Sequence, residues 1–194
     1  MKYLALFLAL VAFVSAYNNT TAEYKLQTRL KVADVSKQEY DGLYLSSYHT
    51  GAGLNDVVFS DEPPLGNATL AATNITANGT TYYNQLFDLG NDFPWGLVME
   101  SNIEFYSAWQ PVELNAGASG SNYDVSGFFI NETGLQWTSN PGQVGTDDDE
   151  FGGWLVCDWW HGVPQLFFRI SYYSSSVYQA PASCADVYLI PQYI

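Results

Sequence analysis

The stretch Tyr24-Lys-Leu-Gln-Thr-Arg-Leu-Lys-Val32 decides the fold. Tyr24, Leu26, Thr28, Leu30 and Val32 alternate with Lys25, Gln27, Arg29 and Lys31. A side-chain period of two places one set on each face of a β-strand, so the stretch reads as an amphipathic strand with a basic outer face. The same short-strand signal recurs at 42–50, 55–59, 68–76, 81–87, 95–99, 103–109, 127–130, 134–138, 154–159, 165–172 and 186–191. Turn chemistry such as Asn78-Gly79, Asn91-Asp92, Pro141-Gly142 and Gly152-Gly153 separates these runs. Beyond the first sixteen residues no ten-residue stretch carries a helical stripe, and residues 33–41 suit one short helical turn. About a dozen short strands predict an all-β single domain, either a sandwich or a closed barrel. The block from Gly127 to Phe168 suits a trefoil-like or barrel sub-unit, although no clean internal repeat is visible. The stretches 115–122 and 139–153 read as long loops.

The chain has 194 residues, of which 47% are hydrophobic and 16% aromatic. That is enough apolar material for a core, which excludes intrinsic disorder. The net charge is −14, and beyond residue 37 the only base is Arg169, against eighteen acids. Such a surface excludes nucleic acid and anionic membrane as partners, since both require Lys and Arg. The bases of the first strand either lie beside the acidic body or meet a polyanion, and the plainer expectation is an acidic protein outside the cell.

Lys2, the uncharged run from Tyr3 to Val14, and the small residues before Tyr17 have the three-part form of a secretory signal over residues 1–16. Its removal leaves 178 residues (17–194) as one secreted β domain and takes away one base, so the net charge becomes −15. No later apolar run reaches the ~20 residues of a membrane-spanning helix. Acceptor triplets for N-glycosylation occur at Asn18, Asn19, Asn67, Asn74, Asn78 and Asn131. If residues 74–80 are extended, Asn74, Thr76, Asn78 and Thr80 share a solvent-facing side. Cys157 and Cys184 are the only cysteines, and an oxidising compartment favours their pairing.

The run Phe151 to Phe168 is the densest in candidate chemistry. Asp158, Trp160 and His161, with Trp95 as a further member, are the expected glycan-binding residues. Aromatic rings supply apolar area for a sugar face, and a carboxylate orients its hydroxyls. The competing reading makes Trp154, Trp159 and Phe167 core residues and Trp160 the cap of a turn. Glu100 and Glu104 invite a glycosidase reading, but in a continuous strand they lie ~13 Å apart. Catalytic carboxylates need ~5–9.5 Å, so other strands would have to supply a pair. The run Asp147-Asp148-Asp149-Glu150 resembles part of a calcium loop, yet Phe151 occupies a ligand position and strands flank it, so a solvated acidic loop is expected. Two cysteines and two histidines lack zinc spacing, and no nucleophile elbow is present. No catalytic residue, cofactor or metal is expected.

The blocks Tyr48-His-Thr-Gly-Ala-Gly-Leu-Asn-Asp56, Phe87-Asp-Leu-Gly90, Phe93-Pro-Trp-Gly96, Phe128-Phe-Ile-Asn131, Gly153-Trp-Leu-Val-Cys-Asp-Trp-Trp-His-Gly-Val-Pro-Gln-Leu-Phe167 and Cys184-Ala-Asp-Val-Tyr-Leu-Ile-Pro191 resemble a family of small secreted proteins of filamentous fungi. That family is defined by a domain of unknown function, so the resemblance brings no activity with it. More loosely, the C-terminal third is similar to fungal phialide cell-wall proteins, which implies a wall or matrix role. The expectation is therefore a secreted, N-glycosylated, non-enzymatic protein, wall-associated or host-facing, binding glycan weakly. Its partner would be cell-wall polysaccharide or an extracellular protein. The alternatives are a carbohydrate-active hydrolase using carboxylates from separate strands and a secreted effector that binds a host protein.

Overall fold

The structure is a computed structural model that describes residues 22–90, 93–101, 108–120, 124–144, 146, 149–173 and 178–194. The expected leader, Asn18, Asn19, Glu104, Asp147, Asp148 and most of the run 103–109 lie outside the described residues.

The alternation in the opening strand holds. In β1 (Tyr24–Leu30), Tyr24, Leu26 and Thr28 are buried while Lys25, Gln27 and Arg29 are not. A single 3₁₀ turn follows over Val35–Tyr40, where Asp34 Oδ1 accepts from Ser36 N (2.9 Å) as the N-cap. The remaining strands are β2 (Tyr44–Gly51), β3 (Leu54–Ser60), β4 (Ala68–Ala77), β5 (Thr80–Asp88), β6 (Pro94–Met99), β7 (Trp109–Ala116), β8 (Phe129–Asn131), β9 (Gly134–Gln136), β10 (Phe151–Asp158), β11 (Pro164–Ile170) and β12 (Cys184–Tyr193). The β4–β5 turn is made by Asn78 at φ 51° and Gly79 at φ 79°, the left-handed pair that a two-residue hairpin turn needs.

Six strands close a barrel. β12 pairs with β1 along its length, β1 meets β4 at Tyr24 and Ala68, and β4 pairs with β5. Tyr83 of β5 bridges Phe128 beside β8, β8 pairs with β9, and β9 packs back on β12. A Cβ added to Gly134 would overlap the Leu189 carbonyl, which shows how close β9 and β12 come. Among the described residues six further strands form three hairpins, β2–β3, β6–β7 and β10–β11. Each hairpin pairs with the next around a triangle: Leu54–Asp56 with Glu113–Asn115, Trp109–Pro111 with Phe167–Arg169, and Gln165 with Val58. A six-strand barrel capped by three mutually paired hairpins is the connectivity of a β-trefoil. Of the two architectures the strand pattern allowed, the closed barrel is the one formed. The units begin at β1, β5 and β9, so the block from Gly127 to Phe168 straddles two of them.

The inner faces of barrel and hairpins share one core that includes Leu26, Phe59, Leu97, Met99, Leu114, Trp154, Phe168 and Leu189. Three of its buried polar side chains are paired, while Trp95 Nε1, packed against the same core, is buried without a partner among the described residues. Tyr24 Oη donates to Gln85 Oε1 (2.6 Å), Trp154 Nε1 to Leu135 O (2.6 Å) and Trp137 Nε1 to Ser126 O (2.7 Å). A smaller cluster of Leu155, Phe167, Cys157 and Cys184 lies on the outer face of the third hairpin. The two cysteines form a disulfide and are directly opposite in the β10–β12 register.

The bases of β1 and its extension are held by the protein itself. Lys25 Nζ donates to the carbonyls of Pro64 (2.7 Å) and Gly66, Lys37 Nζ donates to Ala182 O, and Arg29 lies 5.2 Å from the Tyr188 ring. Arg169 is wholly buried and gives Asp186 a bidentate pair (2.6 and 3.0 Å).

Candidate functional site

The tip of the third hairpin, residues 159–163, reaches over the first. Tyr48 stands directly opposite Asp56 in the β2–β3 register, so both project from the outer face of that hairpin. His161 Nε2 bonds to Asp56 Oδ2. The His161 ring stacks on Tyr48 (centroids 4.0 Å, interplanar angle 25°), and Trp160 lies 3.9 Å from the same ring at 37°. Two rings this close to a third cannot share one of its faces, so His161 is sandwiched between them. Its side chain is only 1% exposed. Trp160, by contrast, is 75% exposed, and Trp159 and Tyr48 are exposed beside it.

Stacking and the His161–Asp56 bond together fix the Trp160 ring without covering its outer side. A rigid exposed indole is a platform for an apolar face, and its low remaining rotamer freedom reduces the ordering cost of binding. His161 thus positions Trp160 and is not itself a surface contact. The signal that could have found Tyr48 and Asp56 is the hairpin turn at 51–53, which sets them opposite each other; what joins them to His161 is tertiary.

The other expected members, Asp158 and Trp95, each have neighbours of their own. Alternation along β10 sets Asp158 on the opposite side from Cys157, where its carboxylate faces the Tyr40 hydroxyl. Burial, then the charge of Asp158, pushes the Tyr40 phenol up to about 12. Trp95 sits on β6, two strands from β3, ~10 Å away across the sheet. Its ring is half-buried against the core and meets Phe93 edge-on at 6.2 Å. Trp154 is core and Phe167 belongs to the outer cluster, as the competing reading had them, whereas Trp159 is half exposed.

A carboxyl pair does form on the same outer face, between Glu100 and Glu113. Burial, then the charge of Glu113 and the hydrogen bond between the two groups, raises the Glu100 carboxyl above its ordinary range. Asn115 Nδ2 donates to Glu113 Oε2 (3.0 Å), and Asp56 pairs with Glu113 across β3 and β7. Two carboxyls in direct hydrogen-bond contact leave no room between them for a glycosidic bond, whose hydrolysis needs ~5–9.5 Å.

In the acidic loop Asp149 is buried, its Oδ1 facing the backbone N–H of Ser139 (3.3 Å) and of Phe151 (3.5 Å). Among the described residues no group of three or more His, Cys, Asp or Glu is placed to hold a metal ion. Of the acceptor asparagines, Asn78 is exposed at its turn, Asn67 donates to Glu23 Oε2 (2.7 Å) and Asn131 is half-buried; the side chain of Asn74 lies outside the described residues.

A family model described as a domain of unknown function (DUF7907) matches residues 21–193. The chain belongs to the DUF7907 family. The match spans the twelve strands found among the described residues, so the barrel, the hairpin cap and the Trp160 platform all lie within the DUF7907 region. No curated protein and no solved structure matches this DUF7907 chain.

Proposed function

We propose that this protein is a secreted, N-glycosylated, non-enzymatic fungal protein that acts at a cell wall or host-facing surface and binds saccharide weakly through Trp160. The observation that carries the reading is the exposed Trp160 ring, backed by His161 and Tyr48 and locked by Asp56. An indole face of this kind suits the C–H side of a pyranose, with Trp159 extending the contact. A single aromatic platform supports an affinity of about millimolar, ~4 kcal/mol, so useful retention requires a polymer that presents many copies. Placement outside the cell is supported by the leader-like N-terminus, the acceptor triplets, the Cys157–Cys184 disulfide and the likeness to small secreted fungal proteins. Among the described residues no helix is long and apolar enough to cross a membrane.

The test is a pull-down of deglycosylated protein on insoluble chitin, glucan and mannan. Wild type is expected to be retained on at least one of the three, and Trp160→Ala to wash through with unchanged circular dichroism. Equal retention of both would end the proposal. Turnover of any of the polymers would favour the hydrolase reading.

A further inference from the structure

A groove of about 480 Å³ opens between the β4–β5 turn, β8 and residues 141–144 and 146. That volume is in the small-ligand range of ~300–1,000 Å³. Tyr82 and Phe129 form part of its wall, edge to face at 5.6 Å, and Tyr82 Oη donates to Pro141 O (3.2 Å), tying the loop to β5. Val144 lines it while remaining partly open to solvent, and Gln143, Thr80 and Thr146 add hydrogen-bonding groups. Two of the lining residues, Asn78 and Asn131, are acceptor asparagines.

Asn131 has the geometry to start a glycan inside this groove. Its Oδ1 accepts from Thr133 N (2.8 Å) and Thr133 Oγ1 (2.7 Å), which fixes the side chain in an Asx-turn. Both bonds use the oxygen, and Nδ2 is the atom a glycan takes. We propose that the glycan on Asn131 lies in the groove, with its first sugars against Phe129 and Val144, rather than standing out in solvent. The linkage forms when Nδ2 attacks C1 of an oligosaccharide carried on a lipid diphosphate. The C1–O bond to phosphate breaks, the amide gives up one proton, and the lipid diphosphate leaves. The apolar faces of the sugars then pack on the aromatic wall, and their hydroxyls and acetamides meet the polar lining. The proposal rests on passage through a secretory compartment.

The experiment uses the full chain expressed with its own leader in a eukaryotic secretory host. Site occupancy is read by peptide mass spectrometry, together with the rate at which an endoglycosidase releases the Asn131 glycan from native and from unfolded protein. Expected is an occupied Asn131 whose glycan is released about tenfold more slowly from the native state, equivalent to ~1.4 kcal/mol of packing. Val144→Asp, a change at the open rim, is expected to bring the native rate up towards the unfolded one. An unoccupied Asn131 in secreted chains glycosylated elsewhere overturns the proposal and leaves secretion intact. So does release equally fast from both states, or a native rate that Val144→Asp does not alter. Failure of secretion has a different signature: the leader still attached, no glycan at any site, and no protein in the medium.

Discussion

Replacing Asp186 by alanine should be among the most damaging single changes to this protein, and more damaging than removing its partner. Arg169 is 0% exposed and donates from Nε and Nη2 to the two oxygens of Asp186, with Nη1 bonded to Tyr173 O at 3.1 Å. Lys31 lies against the same pair; burial lowers its ammonium most, Asp186 works to raise it, and Arg169 adds to the lowering. Asp186→Ala therefore leaves two cations in a desolvated place without the carboxylate they share. Breaking one side of a buried pair costs about 3–5 kcal/mol, a large share of a total stability of ~5–15 kcal/mol. Arg169→Met leaves an Asp186 carboxylate that is 17% exposed and still has Lys31 beside it, so its loss should be smaller, about 2 kcal/mol. The assay is urea unfolding followed by circular dichroism, with the double variant Asp186→Leu/Arg169→Met completing the cycle. A loss below ~1 kcal/mol for Asp186→Ala, or a larger loss for Arg169→Met, would refute the reasoning.

Removing the disulfide as Cys157→Ala/Cys184→Ala opens a 28-residue loop and should cost ~3.5 kcal/mol of unfolding free energy and lower the unfolding midpoint, with the fold retained because β10 and β12 still pair. Gly96→Ala should cost more than ~2 kcal/mol, since its Cβ would overlap the Ala118 carbonyl; Gly79→Ala, at φ 79° with no atom near, should cost only about 1 kcal/mol. Calorimetric scans of each variant against wild type decide both. Acidification should stabilise the protein at first. Glu100 is raised by burial and then by Glu113, and Glu150 by burial and then by Asp124 and Asp149. A carboxyl raised in the folded state binds its proton more tightly there, so stability is gained as pH falls through the folded value and is complete below the ordinary 4.5. Asp34, lowered by its bonds to Ser36, acts in the opposite sense below its ordinary 3.8. Thermal midpoints should accordingly rise from pH 7 to about 5 and fall again below 4, and a steady decline over the upper window would contradict this assignment.

Local physics made much of the fold readable. The alternation of Tyr24, Leu26 and Thr28, the Asn78-Gly79 turn and the lone pair of cysteines each act over a few residues or leave one solution, and each appears in the structure as expected. The strand β7 was hidden because Pro111 interrupts the pattern and suggests a loop. In the sheet Pro111 pairs with Phe167, its carbonyl accepts from Glu100 N (3.2 Å), and Val112 and Leu114 fill the core. The threefold arrangement is written in backbone pairing, and the residues Leu54, Trp109 and Pro164 that start the second strand of each hairpin share no side-chain type. The platform was half legible. Trp160 and His161 stand out in the chain, but the groups that fix them, Tyr48 and Asp56, lie more than a hundred residues earlier. Only the pairing of the third hairpin with the first brings them together. For Asp158 the structure adds a second neighbour that the chain did not suggest: β10 turns its disulfide outward and the Asp158 carboxylate towards Tyr40.

The most direct measurement is a titration of tryptophan fluorescence with soluble chitin, glucan and mannan fragments, run on wild type and on Trp160→Ala. A saturable change in wild type that vanishes with Trp160, for at least one sugar, is the expected result. A wild-type spectrum that stays flat to tens of millimolar, about the weakest affinity one indole face supports, would contradict saccharide binding at this hairpin tip. A response that survives the substitution would contradict it equally.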